Sequence, residues 1–164
     1  PLLLFGHSMG ARIALESWAF YSSRVAGLIL ADFGVDGTVT EKERSGRADR
    51  VRGAYEKGMS SLLDSWLKPM VAKGFDGNER FKELEDMVLN ETPDSHEQQI
   101  QALLNRPNAE TYLKEIRCPT LLLVGEEDRW SPPSLHVEMA KKLTGSRLEI
   151  INRAGHFLPF ECPG

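Results

Sequence analysis

Leu2-Leu3-Leu4-Phe5-Gly6-His7-Ser8-Met9-Gly10-Ala11-Arg12-Ile13-Ala14-Leu15-Glu16 is an apolar run, a glycine-flanked serine and a helix-forming run with nothing between them. A strand that turns at once into a helix holds its apex residue in a strained backbone conformation, so the positions two residues either side must be small. Gly6 and Gly10 stand at those positions. The turn lifts the Ser8 hydroxyl clear of the strand and directs the first helix amides toward negative charge developing beside it. Ser8 is thus the candidate nucleophile. Chance alone also produces such a pentapeptide, as a glycine-rich turn with an incidental serine.

Three other short apolar runs match the first: Val25 to Ala31, Thr120 to Val124 and Leu148 to Ile151. None alternates polar with apolar, which favours buried parallel strands. A helix is expected from about Ala11 to Phe20. A second is expected from Ser131-Pro132-Pro133 to Gly145, with serine as N-cap, proline in the first turn and glycine closing the end. Strand, helix and strand, twice over, predicts an α/β fold with a parallel sheet of about four strands.

Residues 34–108 interrupt this rhythm for too long to be a loop, so they are expected to form an inserted helical cap subdomain between core segments 1–33 and 109–164. Helical spacing places Val51, Ala54, Tyr55 and Met59 on one side of one helix, Phe81, Leu84, Met87 and Val88 on another, and Ile100, Leu103 and Leu104 on a third. Asn78 and Thr92-Pro93 read as helix starts. Arg44, Arg47, Arg50 and Arg52 alternate with Glu41, Glu43 and Asp49, the pattern of a solvated helix face.

A chain of 164 residues buries roughly 70% of its unfolded surface, enough for a core. Its formal charge of −4 gives no electrostatic reason to expect nucleic acid, and small molecules are the expected partners. No apolar stretch is long enough to span a bilayer. Cys118 and Cys162 form neither a metal-ligand spacing nor a disulfide framework, which points to a reducing, cytoplasmic setting. No metal or cofactor is expected, and composition is silent on oligomeric state.

A serine hydroxyl needs a base within reach, and the base needs an orienting acid. Sites in parallel sheets gather beyond the carboxyl ends of strands. Asp128, in Gly125-Glu126-Glu127-Asp128-Arg129-Trp130, follows the third apolar run; His156, in Ala154-Gly155-His156-Phe157, follows the fourth. Asp32 follows the second run and is a rival acid. His7 reads as a local hydrogen-bonding or pocket-lining residue, Trp130 and Phe157 as candidate pocket walls, and His96 and His136 as surface residues on helices.

Gly6 to Gly10, Pro119 to Pro133 and Arg147 to Pro163 together resemble the nucleophile elbow, acid loop and histidine loop of the α/β-hydrolase superfamily, in its branch of helical-cap esterases, lactonases and carbon-carbon-bond hydrolases. The resemblance spans nearly all the chain outside the insert. It implies a Ser8, Asp128 and His156 triad that cleaves a small ester, lactone or related carbonyl compound through an acyl-enzyme, with the Met9 amide donating to the oxyanion. It also implies further strands before Leu2, one of whose loops supplies a second oxyanion amide, so the chain reads as a fragment, weak or inactive alone and bare along the first strand. A non-catalytic binding or receptor protein of the same fold stays open, as does acyl transfer, lyase or perhydrolase chemistry on the same triad.

Overall fold

The apolar run at the start forms strand β1, Leu2–His7, and the serine turn delivers it into helix α1, Met9–Tyr21, in a computed structural model that describes residues 1–164. Strands β2 (Val25–Ala31), β3 (Thr120–Gly125) and β4 (Arg147–Ile151) complete one sheet in the order β1-β2-β3-β4. Every neighbouring pair is parallel, with Phe5 opposite Ile29, Leu30 opposite Leu122 and Val124 opposite Ile150. Helix α2 spans Glu41–Lys57, α3 Glu79–Leu89, α4 Pro93–Leu104, α5 Pro133–Lys142 and α6 Leu158–Glu161.

The chain divides into two compact units. Pro1–Asp36, Met70–Lys73 and Asn108–Gly164 make up the first; Gly37–Pro69 and Gly74–Pro107 make up the second. The four residues Met70–Lys73 return to the sheet-bearing unit from within the 34–108 stretch, a detour that helical periodicity does not register.

In the first unit, α1 buries Ala11, Ala14, Leu15 and Trp18, positions three and four apart that form one stripe. They meet Leu28 and Leu30 of β2, Leu122 of β3 and Met139 and Leu143 at the end of α5 in a single apolar cluster. Strands β2 and β3 are covered as continuous apolar strands should be. Strand β1 is an edge, and Leu3 is 67% and Phe5 58% exposed.

In the second unit, side-chain caps open all three α-helices. Thr40 accepts from the Glu43 amide, Asn78 from Arg80 and Thr92 from Ser95, each satisfying an amide with no partner inside the helix. Ala54, Phe81, Leu84, Val88 and Ile100 are buried as their spacing predicts. Tyr55 and Met87 are exposed instead. The Tyr55 hydroxyl donates to Asp94 and Glu97, so its polar end decides its position. Along α2, Arg47 pairs with Glu43 and Arg52 with Asp49.

Three expectations need correction. Pro132, not Ser131, is the N-cap of α5, and its side chain has no acceptor with which to cap the helix; Ser131 stands outside the helix, its amide donating to Asp128. Helix α5 ends at Lys142 with Leu143 as C-cap, short of Gly145. His136 and His96 are buried rather than at the surface. His136 Nε2 accepts the Phe33 amide at 3.3 Å, and burial holds the ring below the usual histidine pKa, so a neutral imidazole fits its acceptor role. His96 has the ring of Trp66 against it, edge to face.

Candidate active site

Ser8 sits between β1 and α1 at φ 53° and ψ −116°, a left-handed conformation unusual for a residue with a side chain. Its amide donates to the Ala31 carbonyl at 2.9 Å, and its carbonyl accepts the Ala11 amide at 3.1 Å, so strand and helix both hold the strained turn. A Cβ on Gly6 would lie within 3 Å of the Gly10 and Ala11 backbone, which is the crowding expected there. At Gly10 the expectation of crowding fails: an added Cβ would meet nothing within 4 Å. Met9 opens α1, so its amide is among those without a partner inside the helix.

His156 lies between β4 and α6, and its side chain is 2% exposed. Its Nε2 is 2.9 Å from Ser8 Oγ, and its Nδ1 is 2.9 Å from Asp128 Oδ2. The three side chains thus form one line from hydroxyl to imidazole to carboxylate. The other oxygen of Asp128 accepts the amides of Trp130 at 2.7 Å and Ser131 at 2.9 Å, which fixes the carboxylate plane. Burial alone would push the Asp128 carboxyl up. The His156 hydrogen bond and charge, with the two amides, outweigh burial and hold it below the ordinary aspartate value.

Asp32 is fully buried and has φ 50°, but its oxygens serve other donors: the Gly125 amide at 3.0 Å and the Leu158 amide at 3.3 Å. His7 Nε2 stands 3.5 Å from Asp32 Oδ2 and donates to the His156 carbonyl at 2.5 Å. Phe157 lies edge-on to His156, with ring centroids 6.0 Å apart. The Trp130 ring is partly exposed beside the Asp128 turn.

Some of the support for His156 left no signal in the linear sequence. Its amide donates to the Met70 carbonyl at 2.7 Å. Glu161 accepts the amides of Ala72, Gly155 and Phe157 at 2.8 to 3.0 Å, tying both neighbours of His156 to the Met70–Lys73 segment. Burial outweighs these three donors and raises the Glu161 carboxyl above its usual value. Two glycines allow the approach. A Cβ on Gly125 would strike the Ala154 and Gly155 backbone, and one on Gly155 would strike Met70 to Ala72. No group of three His, Cys, Asp or Glu side chains could hold a metal ion, and no helix is long and apolar enough to cross a membrane.

A serine at a strained strand-to-helix apex, with histidine and carboxylate brought to it from the ends of later parallel strands, fits the model of one family over residues 1–164: the alpha/beta hydrolase family. The chain belongs to that family. Among curated relatives of this chain is the pimeloyl-[acyl-carrier protein] methyl ester esterase of Neisseria meningitidis serogroup B, 26% identical over 165 residues, covering 95% of the chain and 62% of the esterase. Among solved structures, a thermophilic esterase from Thermogutta terrifontis superposes with a TM-score of 0.89 at 27% identity, over 99% of the chain and 60% of the esterase. The enol-lactonase from Burkholderia xenovorans LB400 shares the fold, with a TM-score of 0.82 at 18% identity over 94% of the chain and 58% of the lactonase. The chain therefore spans about 60% of the length of these relatives.

Proposed function

We propose that the protein is a serine hydrolase that cleaves a small carboxylic ester through an acyl-enzyme on Ser8. The observation that carries this reading is the unbroken line Ser8 Oγ, His156 Nε2, His156 Nδ1, Asp128 Oδ2, with 2.9 Å at each junction. Relatives whose names are those of esterases support the ester as the substrate class.

In this mechanism His156 Nε2 removes the Ser8 proton as Oγ attacks the ester carbonyl carbon. Asp128 holds the proton-bearing Nδ1 tautomer and stabilises the imidazolium that forms. The Met9 amide donates to the oxyanion of the tetrahedral intermediate. Collapse breaks the ester carbon–oxygen bond, and the alcohol leaves with the proton from His156. Water then attacks the acyl-serine, His156 takes its proton, and the carboxylic acid departs.

The test is hydrolysis of a panel of p-nitrophenyl acyl esters and lactones, with mass spectrometry of the quenched protein. Turnover that Ser8→Ala abolishes, with an acyl adduct on the Ser8 peptide, supports the reading. Turnover that survives Ser8→Ala overturns it, as does tight binding of an ester without turnover, the behaviour of a receptor.

A further inference from the structure

His7 and Asp32 lie outside the line from Ser8 to Asp128, yet Asp32 is fully buried and His7 half-buried beside it. We propose that they form a second histidine–carboxylate pair whose task is to position His156 by gripping the backbone of its loop at two points. This rests on His156 being the base of the proposed reaction.

The first grip is the hydrogen bond from His7 Nε2 to the carbonyl oxygen of His156, 2.5 Å long. The second is Asp32 Oδ2, which accepts the amide of Leu158 two residues further on. His7 is anchored at the carboxyl end of β1 opposite Ala31 of β2, and Asp32 is the next residue after that strand. The Asp32 amide donates to Leu123 of β3, and Asp32 Oδ1 accepts the Gly125 amide where β3 ends. The pair thus connects the ends of three strands to the backbone on the carboxyl side of His156. Met70 holds the His156 amide and Glu161 the amides of its two neighbours, whereas the His156 carbonyl is held by His7; misplacement of a base by about 1 Å costs on the order of 10²-fold in rate.

The pair also explains features that the Ser8–His156–Asp128 line leaves unused. Asp32, at 0% exposure, has two backbone amides on its oxygens and the His7 ring 3.5 Å away. Burial by itself would lower the His7 pKa. Hydrogen bonds to Asp32 and the His156 carbonyl, with the charges of Asp32 and Asp128, reverse this and raise it. Asp32 holds its left-handed φ of 50° because the Gly125, Leu158 and His7 contacts require its carboxylate at that point.

Glutamine and asparagine separate positioning from mere burial. In His7→Gln the amide nitrogen reaches the depth of the histidine Nε2; in His7→Asn it falls short. The measurements are kcat and KM for p-nitrophenyl ester hydrolysis, and the low-field proton resonance of His156 Nδ1 shared with Asp128. The expected result is kcat within about threefold of the parent for His7→Gln and roughly tenfold lower for His7→Asn, at unchanged KM. The low-field resonance stays in place for Gln and shifts or broadens for Asn. Equal kcat and an unmoved resonance in both variants overturn the proposal, as does a loss confined to KM or to thermal stability. The resonance is read without turnover, so it judges the positioning pair even if Ser8→Ala leaves hydrolysis intact and the proposed mechanism falls.

Discussion

At the scale of single residues, the two aspartates are told apart by what their oxygens receive. Asp128 receives the His156 ring and two amides, whereas Asp32 receives two other amides with the His7 ring beside it, although both follow strands and both are buried. Asp128→Asn keeps the acceptor for Trp130 and Ser131 but presents the wrong partner to His156 Nδ1. Hydrolysis is expected to fall by roughly 10⁴-fold, the size of loss known when a triad carboxylate is made an amide. The stability effect has a defined sign. Because the folded pKa of Asp128 is depressed, its contribution is complete above the unfolded value, about 3.9, and is lost as pH falls through the lower folded value. Chemical denaturation from pH 6 down to pH 2 should show this loss in the parent, and a correspondingly shallower decline in Asp128→Asn. A variant with parental turnover would remove Asp128 from the mechanism. Sequence order singled out Asp128 and His156 because strand ends can be read from apolar runs. It was blind to Glu161, whose amide donors come from Ala72, Gly155 and Phe157 and exist only once the chain has folded.

At the scale of elements, glycines report where backbones must nearly touch. Gly155→Ala would force a methyl into Met70 to Ala72 and push His156 out of line, so a loss of several kcal/mol is expected. Gly10→Ala meets open space in a helix and should be neutral, or stabilising by up to about 1 kcal/mol. Thermal melts of the two variants check both; a neutral Gly155→Ala would contradict the close approach. The four strands and the caps at Asn78 and Thr92 were legible because period and cap chemistry are local. The start of α5 was misread for the same reason. Ser131-Pro132-Pro133 has the local chemistry of a capped start, but the helix begins one residue later than a serine cap requires, and Ser131 belongs to the turn held by Asp128. The short Met70–Lys73 segment was invisible because its reason for existing, the carbonyl that receives the His156 amide, lies 86 residues away in sequence from that histidine: 156 − 70 = 86.

At the scale of the whole molecule, apolar side chains are unevenly covered. Leu3 and Phe5 on β1, Ile13, Phe20 and Tyr21 on α1 are exposed, with Phe20 reaching 77%. An open strand edge beside bare aromatic and aliphatic groups favours association. Sedimentation velocity should show concentration-dependent self-association of the 164-residue chain that Phe20→Lys weakens; a monomer at all concentrations would contradict this. The parallel order of the sheet was foreseeable from uniformly apolar runs, whereas their exposure depends on which strand ends at an edge. The central claim is that this sheet presents an activated serine. Treating the protein with a fluorophosphonate probe and locating the adduct by mass spectrometry tests it most directly. One adduct is expected, on Ser8, absent in Ser8→Ala and much slower to form in Asp128→Asn; no adduct, or an adduct that persists in Ser8→Ala, would contradict an activated serine at this position.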